Sequence, residues 1–265
     1  MIKNSIFAKS FKKSGLRPIK IAAYDFLFYL ALTAILVSML LSMKANFEPL
    51  QELIPTLTKI SEFFSQTGEL PYDTGDLSKT LKDIKSTFYF TIARAILIVV
   101  GAILLSIVNI SLFKGLIWSS VLEKKFSKKF FNKFLLLNLL WYLLWIIAAV
   151  LFFVLVKVNI AAILITIELA LMLYFTPLAY SLFDENRNVF RLIKEAFSLG
   201  TKRFFYLSLP YLIVISLLLV LFFTVGLLGF IIPFIIFAVI FWVAFLAFRG
   251  WARLYISMAV GAIKK

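Results

Sequence analysis

Residues 204–248, FFYLSLPYLIVISLLLVLFFTVGLLGFIIPFIIFAVIFWVAFLAF, run for 45 positions without a charged side chain. As helix they measure about 68 Å at 1.5 Å per residue, twice the roughly 30 Å of a bilayer's hydrocarbon core. The stretch must fold back on itself. Gly226, Gly229 and Pro233 mark where, because Gly and Pro interrupt helices. It reads as a transmembrane hairpin with spans at 204–226 and 230–248.

Four more runs of this kind precede it: 21–43 with the single charge Asp25, 88–113 with Arg94, 134–156 with none, and 158–182 with Glu168. The whole chain is 63% hydrophobic and 15% charged, far from the roughly 45–50% and 25% of soluble domains. The surplus exceeds what a soluble globule can hide, whereas lipid accepts apolar surface on every side. The sequence therefore predicts an all-α, polytopic bundle of six transmembrane spans, with 1–265 forming one integral membrane domain. Lys3, Lys9, Lys12, Lys13, Arg17 and Lys20 precede a first run too long for a signal-peptide core and without a small-residue cleavage site, so 21–43 is read as a retained span.

Basic residues resist translocation, so counting them orients the bundle. Residues 1–20 carry six Lys or Arg, 114–133 six, 183–203 five and 249–265 four, together 21 of the chain's 28. The alternate connections hold Lys157, nothing at 226–233, and a long segment, 44–87, with five Lys against seven carboxylates. Both termini are placed inside and 44–87 outside. The formal charge of +15 is then an orientation signal and an attraction to anionic headgroups, not a nucleic-acid footprint.

The absence of Cys and His removes disulfides, Cys- or His-based zinc sites, thiol nucleophiles and imidazole bases together. No metal or cofactor is expected. Tyr24-Asp25 matches half of an intramembrane aspartyl protease signature, but the Gly-x-Gly-Asp half is missing. Asp73-Thr74-Gly75 spells the aspartic-protease triplet once, without the second copy needed to share a proton. No nucleophile elbow or phosphate-binding loop occurs. An enzyme is not the expected reading.

In 44–87, Leu50, Leu53, Ile54, Leu57, Ile60, Phe63 and Phe64 recur at helical spacing, as do Leu77, Leu81, Ile84 and Phe88, with Gly68, Pro71 and Gly75 between the two sets. Two amphipathic helices extending spans one and two are predicted, serving as a structural cap or, alternatively, as a partner-docking surface. On the basic side, Phe11–Arg17, Phe126–Phe131 and Phe197–Phe205 share a basic-aromatic pattern ahead of odd-numbered spans, which suggests three repeated units. The third has the clearest pattern, with Val189, Phe190, Ile193, Ala196, Phe197 and Gly200 on one face and Arg187, Arg191, Lys194, Glu195 and Thr201 on the other. It is expected in the membrane plane, as is the tail, with Trp251, Leu254, Tyr255 and Met258 opposite Arg249 and Arg253. Lys124, Lys125, Lys128, Lys129, Lys202 and Arg203 join Arg187, Arg191 and Lys194 as candidate lipid contacts. Trp118, Trp141 and Trp251 fit interfacial anchors.

Charges within spans are the default functional candidates, since each costs at least roughly 2.5–3.5 kcal/mol at a helix centre. Arg94 and Glu168 sit about 9 and 15 Å from the outer ends of their spans at 1.5 Å per residue, and a long Arg side chain can bridge the difference. They are expected to pair, either to fix helix register or to serve transport. Asp25 lies near the inner boundary within reach of Arg249, Arg253 or Lys20, as an interfacial salt bridge. Asn109, Asn138, Pro177 and Pro210 are expected to join or kink helices.

The stretch Phe175-Thr176-Pro177-Leu178-Ala179-Tyr180, with Phe183-Asp184-Glu185-Asn186 and then Phe190 through Arg203-Phe204, resembles the fourth span and following loop of a broad group of prokaryotic six-span proteins. That group includes the membrane domain fused to some glycerophosphodiester phosphodiesterases. The resemblance covers about 30 residues and brings no catalytic residue, because the phosphodiesterase is a separate soluble domain. It implies a non-enzymatic module of a prokaryotic cell membrane. Two functions follow as expectations: a scaffold or accessory protein whose basic segments engage anionic lipid or a protein partner, or a small transporter or lipid- or polypeptide-handling protein using Arg94 and Glu168.

Overall fold

The computed structural model describes residues 6–67, 74–230 and 232–263. Among these residues there is no strand, and the helices are α1 (Ile6–Ser14), α2 (Arg17–Thr67), α3 (Thr74–Val121), α4 (Lys128–Leu155), α5 (Val158–Ser181), α6 (Val189–Lys202), α7 (Phe204–Leu228) and α8 (Phe234–Ile263). α2, α3, α4, α5, α7 and α8 each contain a stretch long and apolar enough to cross a membrane. The protein is an all-α, multi-pass integral membrane protein. Helices suit that solvent because each satisfies its backbone hydrogen bonds internally. The predicted hairpin forms where expected: Gly229 ends α7, Pro233 precedes α8, and the Phe237 N–H bonds the Pro233 carbonyl at 3.0 Å.

The chain divides into two compact units, Met1–Tyr29 with Ile107–Lys265, and Leu30–Ser106. In the first, aromatic packing dominates. Phe130 stacks on Phe134 at 5.8 Å, and Phe183 meets both edge-on at 4.8 and 5.1 Å. A second cluster joins Trp141, Phe175, Leu178, Ala196, Leu207 and Val260. α1 lies on α8, with Phe7 edge-on to Trp251 and Tyr255 at 5.7 and 5.8 Å. Two glycines permit close approach. A Cβ on Gly250 would lie 2.9 Å from the Pro18 carbonyl oxygen, and one on Gly200 would lie 2.4 Å from the Phe175 ring.

Several expectations change here. Trp118, Trp141 and Trp251 are not interfacial anchors, being 2%, 0% and 6% exposed. They fill space between helices, and the indole N–H groups of Trp141 and Trp251 donate to the hydroxyls of Thr176 and Ser10 at 2.9 and 3.1 Å. The tail is no separate in-plane helix, because α8 continues to Ile263 and buries Leu254 and Tyr255. On α6 the buried residues are Val189, Leu192, Ala196 and Gly200, while Phe190 is exposed. The core face is thus turned from the predicted one, toward Leu192, by contact with α5. The middle basic-aromatic stretch forms no helix of its own. Residues 124–127 are irregular, and Ser127, in an extended conformation, caps α4 by accepting the Phe130 N–H at 3.0 Å.

In the second unit α2 and α3 run on as helices beyond the predicted spans, past Pro49 and Pro55 in α2. The 51 residues of α2 make about 76 Å at 1.5 Å per residue, well over the hydrocarbon thickness. Buried Asn46 donates through Nδ2 to the Thr91 carbonyl at 2.8 Å, tying the two helices together. The segment containing Gly68 and Pro71, Asp73 of the Asp-Thr-Gly triplet, and the side chains of Ile60, Phe63, Phe64, Leu77 and Leu81 lie outside what the structure describes.

Candidate functional site

At the basic end of the first unit a carboxylate sits in a nest of cations. Asp25, on the first turns of α2, is fully buried. The Arg253 guanidinium of α8 donates to both its oxygens, through Nη1 to Oδ2 and through Nη2 to Oδ1 at 3.0 Å. Lys114, near the end of α3, donates from Nζ to Oδ1 at 3.1 Å and lies 4.5 Å from the Phe28 ring. Arg249, one turn before Arg253, donates to the Tyr29 hydroxyl and acts on Asp25 electrostatically. One negative charge thus faces three positive ones, and the fork of Arg253 supplies the directional part of the attraction. Lys20 lies instead over the Tyr24 ring at 5.8 Å.

Asp25 is legible in the sequence as one side of an interfacial pair, whereas Lys114 reads there only as a loop cation. Its signal is its position, one residue beyond the apolar run 88–113, where its stem stays among apolar side chains while its charge turns to the carboxylate. Three residues earlier on α3, Ser111 begins a polar seam. Asn138 of α4 donates to the Ser111 hydroxyl at 3.1 Å, and Tyr180 of α5 donates to Asn138 Oδ1. Asn109 donates to the Phe28 carbonyl at 3.4 Å. Asn109 and Asn138 therefore join helices, as polar groups within spans do.

Beside the cluster, a cleft of about 370 Å³ is lined by Arg17, Lys20, Glu123, Lys124 and Lys125. Glu123 holds φ = 58°, the left-handed conformation that favours Gly, and accepts from Arg17 at 2.6 Å. A Gly would fit the turn at lower conformational cost, but it would forfeit that ion pair. Lys124 bridges to the Phe183 carbonyl at 3.3 Å and to Asp184 at 3.5 Å. The backbone N–H of Asn186 donates to Asp184, and with Lys124 and Arg187 it holds that carboxyl below its ordinary value against the opposing effect of burial. Lys125, Lys128, Arg191, Lys194, Lys202 and Arg203 are exposed, as is Lys129, which bonds Asn186 at 2.6 Å. Arg187 pairs with Glu195 at 3.0 Å.

Arg94 and Glu168 have different surroundings. Arg94, in the second unit, is exposed with its guanidinium 4.3 Å from the Phe90 ring. Glu168, in the first, is 6% exposed, and both its carboxylate oxygens lack a hydrogen-bond partner. Among the described residues neither makes an ion pair.

No family model, no curated protein and no solved structure matches the chain.

Proposed function

We propose that the protein is a non-enzymatic membrane scaffold or accessory module of a prokaryotic cell membrane, related to the six-span group that Phe175–Arg203 resembles. Its basic, inward-facing end holds anionic lipid headgroups or an acidic protein partner. The observation that carries this reading is the cleft whose lining holds four cations, Arg17, Lys20, Lys124 and Lys125, and one carboxylate, Glu123. Each basic residue near an anionic surface contributes about 1 kcal/mol. The cleft therefore selects net-anionic headgroups over zwitterionic ones, and the Asp25 cluster locks the helices that form it.

Thermal unfolding in neutral detergent with added phosphatidylglycerol tests the idea. The lipid should raise the midpoint at low salt and lose its effect as salt screens the surface. The double variant Lys20→Gln/Lys125→Gln should lose about 2 kcal/mol of that lipid-dependent stabilisation. Equal stabilisation by phosphatidylcholine in the parent protein would defeat the reading.

The partnerless carboxylate of Glu168 favours a second reading, a small transporter or lipid- or polypeptide-handling protein. A carboxylate buried without a partner in lipid is costly, and in membrane proteins such groups mark ion or substrate paths.

A further inference from the structure

The second unit carries a groove that the basic-end reading does not use. It measures about 450 Å³, within the range of ligand sites, and lies between α2 and α3 along Ala34, Ser38 and Ser42 on one side and Ile98, Gly101 and Leu105 on the other. The walls are set by side-chain size. Ala34, Ser38 and Ser42 recur every four residues on one face of α2, and small side chains there leave room where larger ones would close it. A Cβ built on Gly101 meets no atom within 4 Å, so the space continues over that position. One turn beyond Ser42 the buried Asn46 bonds the Thr91 carbonyl at 2.8 Å and clasps the helices at the outer end.

Arg94 stands at this end, on the face of α3 that lines the groove. Positions 94, 98, 101 and 105 follow the i, i+4, i+7, i+11 spacing of one helical stripe. Arg94 is exposed, rests on the Phe90 ring at 4.3 Å and makes no ion pair among the described residues. The 26 residues of 88–113 give about 39 Å of helix against roughly 30 Å of hydrocarbon, which puts Arg94 only about one turn inside the boundary. From there a guanidinium reaches the phosphate layer, and its planar fork matches a phosphate's oxygens. We propose that the groove holds one acyl chain of a phospholipid whose phosphate binds Arg94. A second copy of this chain fits less well, because an isologous contact through the groove would bring Arg94 toward its own counterpart.

The test is photolabelling of the whole protein in nanodiscs with phosphatidylglycerol carrying a diazirine in one acyl chain, and with diacylglycerol carrying the same chain. Phosphatidylglycerol should label the segments 34–42 and 97–105 above the other lipid-facing segments. Gly101→Leu, which places side chain into open space, should cut that labelling about tenfold, and Arg94→Met, on an exposed side chain that leaves packing intact, should lower it to the diacylglycerol level. Labelling spread evenly over all lipid-facing segments, or unchanged in Gly101→Leu, would overturn the site. Equal labelling by diacylglycerol in the parent protein would overturn the role of Arg94. Cross-links between two copies through 34–42 would replace the lipid with a dimer contact. Lys20→Gln/Lys125→Gln should leave the groove labelling unchanged, so this proposal and the basic-end reading fail separately.

Discussion

The basic end of the first unit and the helix pair of the second hold helices together in different ways. In the first, Asp25 gathers Lys114 and Arg253 from two other helices, Asn138 and Tyr180 extend a polar seam, and aromatic rings fill what remains. In the second, Asn46 and Thr91 supply one buried hydrogen bond, and small residues leave a groove. Lipid tails are as apolar as Leu, so helices in a membrane associate through packing and polar contacts and not through hydrophobic burial. Where those contacts are dense the bundle is locked, and where they are sparse there is room for a lipid.

Removing the centre of the dense region should have the largest effect. Asp25→Asn keeps the shape but leaves Lys114 and Arg253 without their carboxylate, and breaking a buried pair by deleting one partner costs roughly 3–5 kcal/mol. Thermal unfolding in detergent should show a loss of that order. Asp25→Asn/Arg253→Met should recover part of it, because the strongest stranded cation is gone. If the double variant loses the sum of the two single effects, Asp25 and Arg253 do not act as a pair.

Two glycines compare the regions at a single carbon atom each. Gly250→Ala would place a Cβ 2.9 Å from the Pro18 carbonyl oxygen, a backbone atom that cannot swing away, so it should destabilise by about 1–3 kcal/mol. Gly101→Ala meets nothing within 4 Å and gains helix propensity worth up to about 1 kcal/mol. It should be neutral or stabilising in the same unfolding measurement. A penalty at Gly101 as large as that at Gly250 would mean that the second unit is packed as tightly as the first.

The spans were legible in the sequence because they are set by run length and hydropathy, whereas the division into two units was not. The charge-free 45 residues of 204–248 could only be a hairpin, and Asp25 stood out because a carboxylate inside an apolar run needs a cation. Residues that lie at a boundary were harder to place. Lys114 begins a basic connection by count yet turns back into the bundle, and Trp118, Trp141 and Trp251 have the composition of anchors but the environment of core. Helical periodicity gives a face only to within a residue or so, which is why Leu192 and not Phe190 is buried on α6. The groove left no mark in hydropathy, since Ala, Ser and Gly change volume far more than polarity.

The smallest expected effect lies at the surface of the basic end. The Asn186 N–H at 3.1 Å, with Lys124 at 3.5 Å and Arg187 at 3.9 Å, favours the charged form of Asp184 and lowers its pKa from the ordinary 3.8, although burial pulls the other way. A carboxyl whose folded value is depressed binds fewer protons folded than unfolded, so its contribution is fully present above the unfolded value and is lost as the pH falls through the folded one. Exposed pairs of this kind are worth about 0.2–1 kcal/mol. Asp184→Asn retains an oxygen to accept the Asn186 N–H and removes only the charge. The parent protein should therefore unfold at a slightly higher temperature than Asp184→Asn at pH 7, and the gap should close on acidification below the ordinary carboxylate range. Because the other carboxyls titrate equally in both proteins, the difference isolates Asp184. A gap that widens on acidification would show that the charged form is disfavoured in the folded state, and that Lys124 and Arg187 do not stabilise it.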